Sequence, residues 1–215
     1  AELVAALAGK KAVTVLERSD VTALTSLVNQ ALLKAVENAS EIRHPGIAPL
    51  AKLPKLTTAI FGLGAHDLQP RHLVAAYRNM EEGNAPFVYL GSQFFAPNPG
   101  PELAALQERL RAAYPETELM ALKTEPNPHL LPEGALRIRF HSVGGYGTIA
   151  TGKLLTDILS NVLKLHSKAA PKYGSEKSGA PTNYYITLSP EEVKITNADL
   201  EDVEVGVSPD PQGFK

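Results

Sequence analysis

The chain has 215 residues, 44% hydrophobic and 20% charged, with a net charge of -2. A balance this close to zero gives no electrostatic case for nucleic acid as a partner, and no apolar run reaches the ~18 residues of a membrane span. There is no cysteine, which excludes disulfides, thiolate ligands to an iron–sulfur cluster and thiol nucleophiles from this chain.

Along the first half, short β-branched runs alternate with helical stripes. "AVTVL" (12–16) predicts a strand. Val21–Ala39 carries apolar residues at Leu24, Leu27, Val28, Ala31, Leu32, Ala35 and Val36, the spacing of one helix face, with Asp20 placed to cap it. A Pro-containing loop runs from His44 to Pro54, and "TTAIF" (57–61) is the next strand, closed by the turn "GLGAHD". Pro70 and Pro101 suit the first turns of two further helices, "PFVYLG" (86–91) is a third strand, and Thr117–Lys123 reads as a fourth. Strands alternating with helices imply parallel βαβ units.

Thr124–Gly134 holds three prolines in 11 residues and has no period, so it is placed as a linker. The strand–helix pattern restarts with "LRIRF", the turn "HSVGGYGT" and an amphipathic helix, followed by a loop over Ser167–Pro181. "TNYYITL" and "EEVKIT" flank Ser189-Pro190 as an expected hairpin, and "VEVGV" (203–207) is a last strand. The expected fold is two three-layer α/β units with mostly parallel sheets, 1–123 and 135–215, the second incomplete. Both ends read as cuts through a longer, cytoplasmic polypeptide.

The turn between strand and helix is the main candidate site. Gly144, Gly145 and Gly147 allow positive φ and close approach of a ligand to backbone, next to the unpaired N–H groups and partial positive charge of a helix start. Tyr146 sits among them, and Thr148 is placed to cap the helix or to donate to a phosphate. The spacing matches neither G-x-G-x-x-G nor G-x-x-x-x-G-K-[ST], so an anion site and a tight capped turn both stand. The Ser167–Pro181 loop carries Lys168, Lys172 and Lys177 against one acid, Glu176, and its lysines would meet the same anion if the sheet carried the loop over the turn. None of the six histidines pairs at i, i+4, no H-E-x-x-H or G-x-S-x-G is present, and "NAS" at Asn38 matches a glycosylation pattern without a secretory signal to give it meaning.

Together these segments resemble the 2-oxoacid:ferredoxin oxidoreductases, which include pyruvate:ferredoxin (flavodoxin) oxidoreductase. "RFHSVGGYGTIATGKLLTDIL" and "KAAPKYGSEKSGAPTNYYITLSPEEVKIT" are similar to the opening of the family's gamma domain. "GKKAVTVLERSD", "ALTSLVNQALLKAV" and "AIFGLGAHDLQPRHLVAAYRNM" look like the transketolase-C-terminal-like domain that precedes it. The likeness covers roughly residues 9–92 and 136–208. It departs at "LGSQFFAPNPG", where the pyruvate enzymes carry an acidic stretch, which leaves pyruvate, 2-oxoglutarate and aryl 2-oxoacids open as substrates.

The resemblance implies oxidative decarboxylation of a 2-oxoacid with coenzyme A, giving acyl-CoA, CO2 and reduced ferredoxin or flavodoxin. It implies thiamine diphosphate and iron–sulfur clusters on other domains or subunits, a homo-oligomeric enzyme, and a lid that holds coenzyme A through Gly144, Gly145, Tyr146, Gly147, Thr148, Lys177, Ser178 and Gly179. Two other readings remain: scaffold domains whose glycine turn only lets a helix pack closely, and a free-standing nucleotide-binding α/β protein.

Overall fold

The computed structural model describes residues 1–83, 85–92, 99–173, 179–194, 196 and 200–209. It divides into two compact units, 1–128 and 129–215.

In the first unit β1 (Ala12–Glu17), β2 (Lys55–Ile60) and β3 (Phe87–Tyr89) form a parallel sheet in the order β1-β2-β3. Alternation along the strands sends side chains to two cores. Val13 and Val15 of β1 and Leu56 of β2 meet Val28, Leu32 and Ala35 of α2 (Ala23–Ser40) and Val4 of α1 (Glu2–Leu7). Leu16, Ala59 and Val88 meet Ala76 of α3 (Pro70–Glu82) on the other side. The sheet therefore lies between helices, as parallel strands buried on both faces require.

Asp20 does not cap α2. The helix starts after Thr22, which holds left-handed φ/ψ and makes no side-chain cap. The buried Glu17 carboxylate at the end of β1 accepts the Thr25 N–H at 2.5 Å instead. An acid at a helix N-terminus satisfies an orphan donor and meets the positive end of the dipole.

The loop after α2 is organised by one buried side chain. Asn38 Nδ2 donates to the His44 and Ile47 carbonyls at 2.8 Å each, and its Oδ1 accepts the Arg43 and His44 N–H groups at 2.9 and 2.8 Å. With the amide committed in this way no glycan fits there. Asn38→Ala leaves four backbone groups without that partner and should cost about 2–3 kcal/mol in chemical denaturation. A loss below half a kcal/mol would mean that water replaces the amide.

The expected strand over Thr117–Lys123 is a helix. α4 (Pro101–Ala113) is followed by α5 (Pro115–Met120), with Pro115 at its first turn and Glu116 and Glu118 at its positive end. Extended pairing survives only as a bridge from Ala121 to Tyr89.

The second unit has a four-stranded sheet in the order β5-β6-β4-β7, from β4 (Leu136–Val143), β5 (His166–Tyr173), β6 (Pro181–Ser189) and β7 (Val205–Val207). Parallel pairing holds for the first unit; here only β4–β7 is parallel, and β4–β6 and β5–β6 are antiparallel. Much of the expected Ser167–Pro181 loop is β5, and the hairpin joins β5 to β6. Beyond Pro190 no strand forms among the described residues of 191–196. α6 (Thr148–Asn161) covers one face, where Ile149, Leu155 and Leu159 pack on Ile138, Phe140, Tyr184, Ile186 and Leu188. β7 is fastened to β4 by the Glu204 carboxylate, which accepts the Arg137 N–H at 2.7 Å and pairs with its guanidinium. The guanidinium holds the Glu204 carboxyl below its ordinary range.

Candidate anion site at the glycine turn

β4 ends at Val143 and α6 begins at Thr148, so the turn spans Gly144 to Gly147. Gly145 has φ 105° and Gly147 φ 74°, which other residues adopt only with strain. A Cβ built on either would meet nothing within 4 Å. These glycines answer to backbone conformation and leave open space above the turn; they do not admit a neighbouring helix. The close approach in this unit is at Gly152, where a Cβ would collide with the Tyr184 ring.

The turn is held from the side by the segment before β6. Gly144 N–H donates to the Ala180 carbonyl at 2.9 Å, and Gly179 N–H donates to the Gly144 carbonyl at 3.3 Å. Gly179, with φ 80°, thus lies against Gly144. Lys177 and Ser178, which immediately precede it, lie outside the described residues.

Thr148 does not cap α6; the N-cap is Gly147 and no side-chain cap is made. Its hydroxyl is buried and meets the Ser142 hydroxyl at 2.5 Å. The first intrahelical bond runs from Thr151 N–H to the Gly147 carbonyl. The capacity of Thr148 for a ligand is therefore its backbone N–H. Ser142 was not visible as a partner from sequence, although alternation along β4 places it on the α6 face. Tyr146 is 63% exposed at the tip of the turn.

Lys168 and Lys172 do not gather at the turn. They lie on β5 opposite Thr187 and Asn183, on the face away from α6, and Lys168 Nζ donates to the Lys194 carbonyl at 3.3 Å.

Residues 137–214 match the family model described as pyruvate ferredoxin/flavodoxin oxidoreductase. The matched residues lie within the second unit, 129–215. The match begins inside β4 and takes in the glycine turn, α6, β5 and β6. No curated protein matches the chain. All eight positions predicted from sequence fall within the matched residues, and the described ones lie at one turn. The turn offers backbone N–H donors and one exposed ring, and among the described residues of the chain no group of His, Asp and Glu is placed to hold a metal ion. No described helix is long and apolar enough to cross a membrane.

The first unit has a separate cleft of about 520 Å3 at the carboxyl ends of β2 and β3, bounded by Leu63, His66, Tyr89, Leu110 and Thr117. Open parallel sheets take ligands at such ends.

Proposed function

We propose that this chain is part of a 2-oxoacid oxidoreductase that decarboxylates its substrate oxidatively with coenzyme A and passes the electrons to ferredoxin or flavodoxin. In this reading the glycine turn, with Lys177 and Ser178, holds phosphate groups of coenzyme A. The observation that carries it is the backbone pairing of Gly144 with Gly179 and Ala180, which sets the residue after Lys177-Ser178 against the turn.

The chemistry of the donors fits a diphosphate. N–H groups at the start of α6 face partial positive charge outward, and the space over Gly145 and Gly147 is open. A helix terminus contributes about 0.3–1 kcal/mol toward an anion, so Lys177 supplies most of the attraction. The chain has no cysteine, so thiolate ligation of iron–sulfur clusters falls to other segments or subunits, and thiamine diphosphate is placed there too.

In the assembled enzyme Lys177→Ala should raise KM for coenzyme A by about tenfold, the value of one charge-assisted hydrogen bond, with little change in kcat. An unchanged KM would overturn the assignment. The scaffold reading places close packing at the turn, and the open space at Gly147 speaks against it.

A further inference from the structure

The face of the second sheet away from α6 carries a polar cluster that the coenzyme A reading does not use. The β4–β6 register sets Arg139 opposite Tyr185 and His141 opposite Asn183. Asn183 Oδ1 accepts a hydrogen bond from Arg139 Nε at 2.9 Å and lies 2.8 Å from His141 Nδ1. An amide oxygen brings no proton, so Nδ1 of His141 carries one and the ring is fixed in that tautomer. The Arg139 guanidinium carbon lies 5.7 Å from the ring centroid of buried Tyr185.

The guanidinium is therefore held at two points, by the Nε bond and by the ring. Its Nη groups have no partner among the described residues, and neither does Asn183 Nδ2. Arg139, His141 and Asn183 are each half-buried, so solute reaches them. No carboxylate among the described residues pairs with Arg139; the neighbouring Glu204 is committed to Arg137. A partly exposed guanidinium without a carboxylate partner among the described residues keeps its Nη donors available to an anion, and a stacked, oriented guanidinium is the form best suited to grip two oxygens of one group.

We infer that Arg139 and Asn183 form a binding site for the oxyanion group, carboxylate or phosphate, of a small ligand. Two Nη donors and the Asn183 amide face the anion, while His141 fixes the amide and Tyr185 supports the guanidinium. The site lies on the opposite sheet face from α6 and does not rest on coenzyme A binding at the glycine turn.

The test is a titration of the full chain at constant ionic strength with inorganic phosphate and, separately, with acetate, read by the side-chain nitrogen shifts of Arg139 and His141. Saturable shifts are expected with at least one of them. Saturation by both identifies a general oxyanion site, and by phosphate or acetate alone the corresponding source. Arg139→Lys, which keeps the charge and loses the fork, should raise the dissociation constant about tenfold. Asn183→Asp keeps the acceptor for Arg139 and His141 but sets a negative charge before the ligand, and it should abolish saturation. Gly147→Ala should leave the titration unchanged, which separates this site from the turn. Shifts that stay linear with both anions, or equal affinity in Asn183→Asp, would overturn the proposal.

Discussion

Gly152→Ala should destabilise the second unit by on the order of 3 kcal/mol, the upper part of the range for overpacked cores. The position lies inside α6, where alanine by itself would favour the helix by about 0.5–1 kcal/mol through its lower backbone entropy. The steric cost wins because the added Cβ would lie 2.8 Å from Tyr184 Cε1 and 2.9 Å from Cγ. The ring cannot swing away, since Tyr184 is 4% exposed and packed among Phe140, Ile186 and α6. Removing most of the ring should restore the loss: Gly152→Ala with Tyr184→Leu should be more stable than Gly152→Ala alone, a coupling that a double-mutant cycle in urea measures directly. If the single variant matched the parent in denaturation midpoint, the tight seat of α6 on β6 would be wrong.

The second large effect is a pH dependence of the first unit. His72 in α3 is 3% exposed, and its Nδ1 accepts the Gln69 N–H at 3.1 Å. Burial, with the nearby charges of Arg71 and His66, pushes its pKa down from 6.5 to about 4. A depressed folded pKa favours the unprotonated native state. The stability it provides is complete above pH 6.5 and is lost as pH falls toward about 4, because the unfolded chain takes up the proton first. The loss across that window should be on the order of 2–3 kcal/mol. Protonation of Nδ1 would also remove the lone pair that accepts from Gln69. Urea midpoints of the first unit at pH 7.5 and 4.5, compared with those of His72→Gln, isolate the contribution. Equal pH slopes in parent and variant would mean that His72 titrates normally.

Legibility of the fold followed the strength of local signals. β1, α2, β2, α3 and α4 are marked by apolar stripes of clear period and, for the last two helices, by proline at the first turn. α5 was missed because "TELMALK" reads as a strand by composition, while the signal that decides it lies outside that window, in Pro115 and the acids behind it. β5 was missed for a different reason. "HSKAAPKY" has no strand propensity, and its extended form comes from pairing along its whole length with β6, a tertiary effect that overrides local preference.

At the candidate site, the glycines could be read because positive φ demands them. The Gly144 to Ala180 bond spans 36 residues and leaves no mark in composition or period. The cluster of Arg139, His141 and Asn183 is hidden in the same way: "LRIRFH" shows alternation, but only the β4–β6 register brings Asn183 to Arg139 and His141. Gly152 carries no comparable mark in the sequence, because only the fold sets Tyr184 beneath it.

In the proposed function the second unit takes coenzyme A through the turn and the residues before Gly179. Calorimetric titration of the protein with coenzyme A, and with the same molecule lacking its phosphates, tests it most directly. Saturable binding of coenzyme A is predicted, lost for the dephosphorylated compound and weakened about tenfold by Lys177→Ala. Equal binding of both compounds, or no binding of coenzyme A by a folded protein, would contradict it.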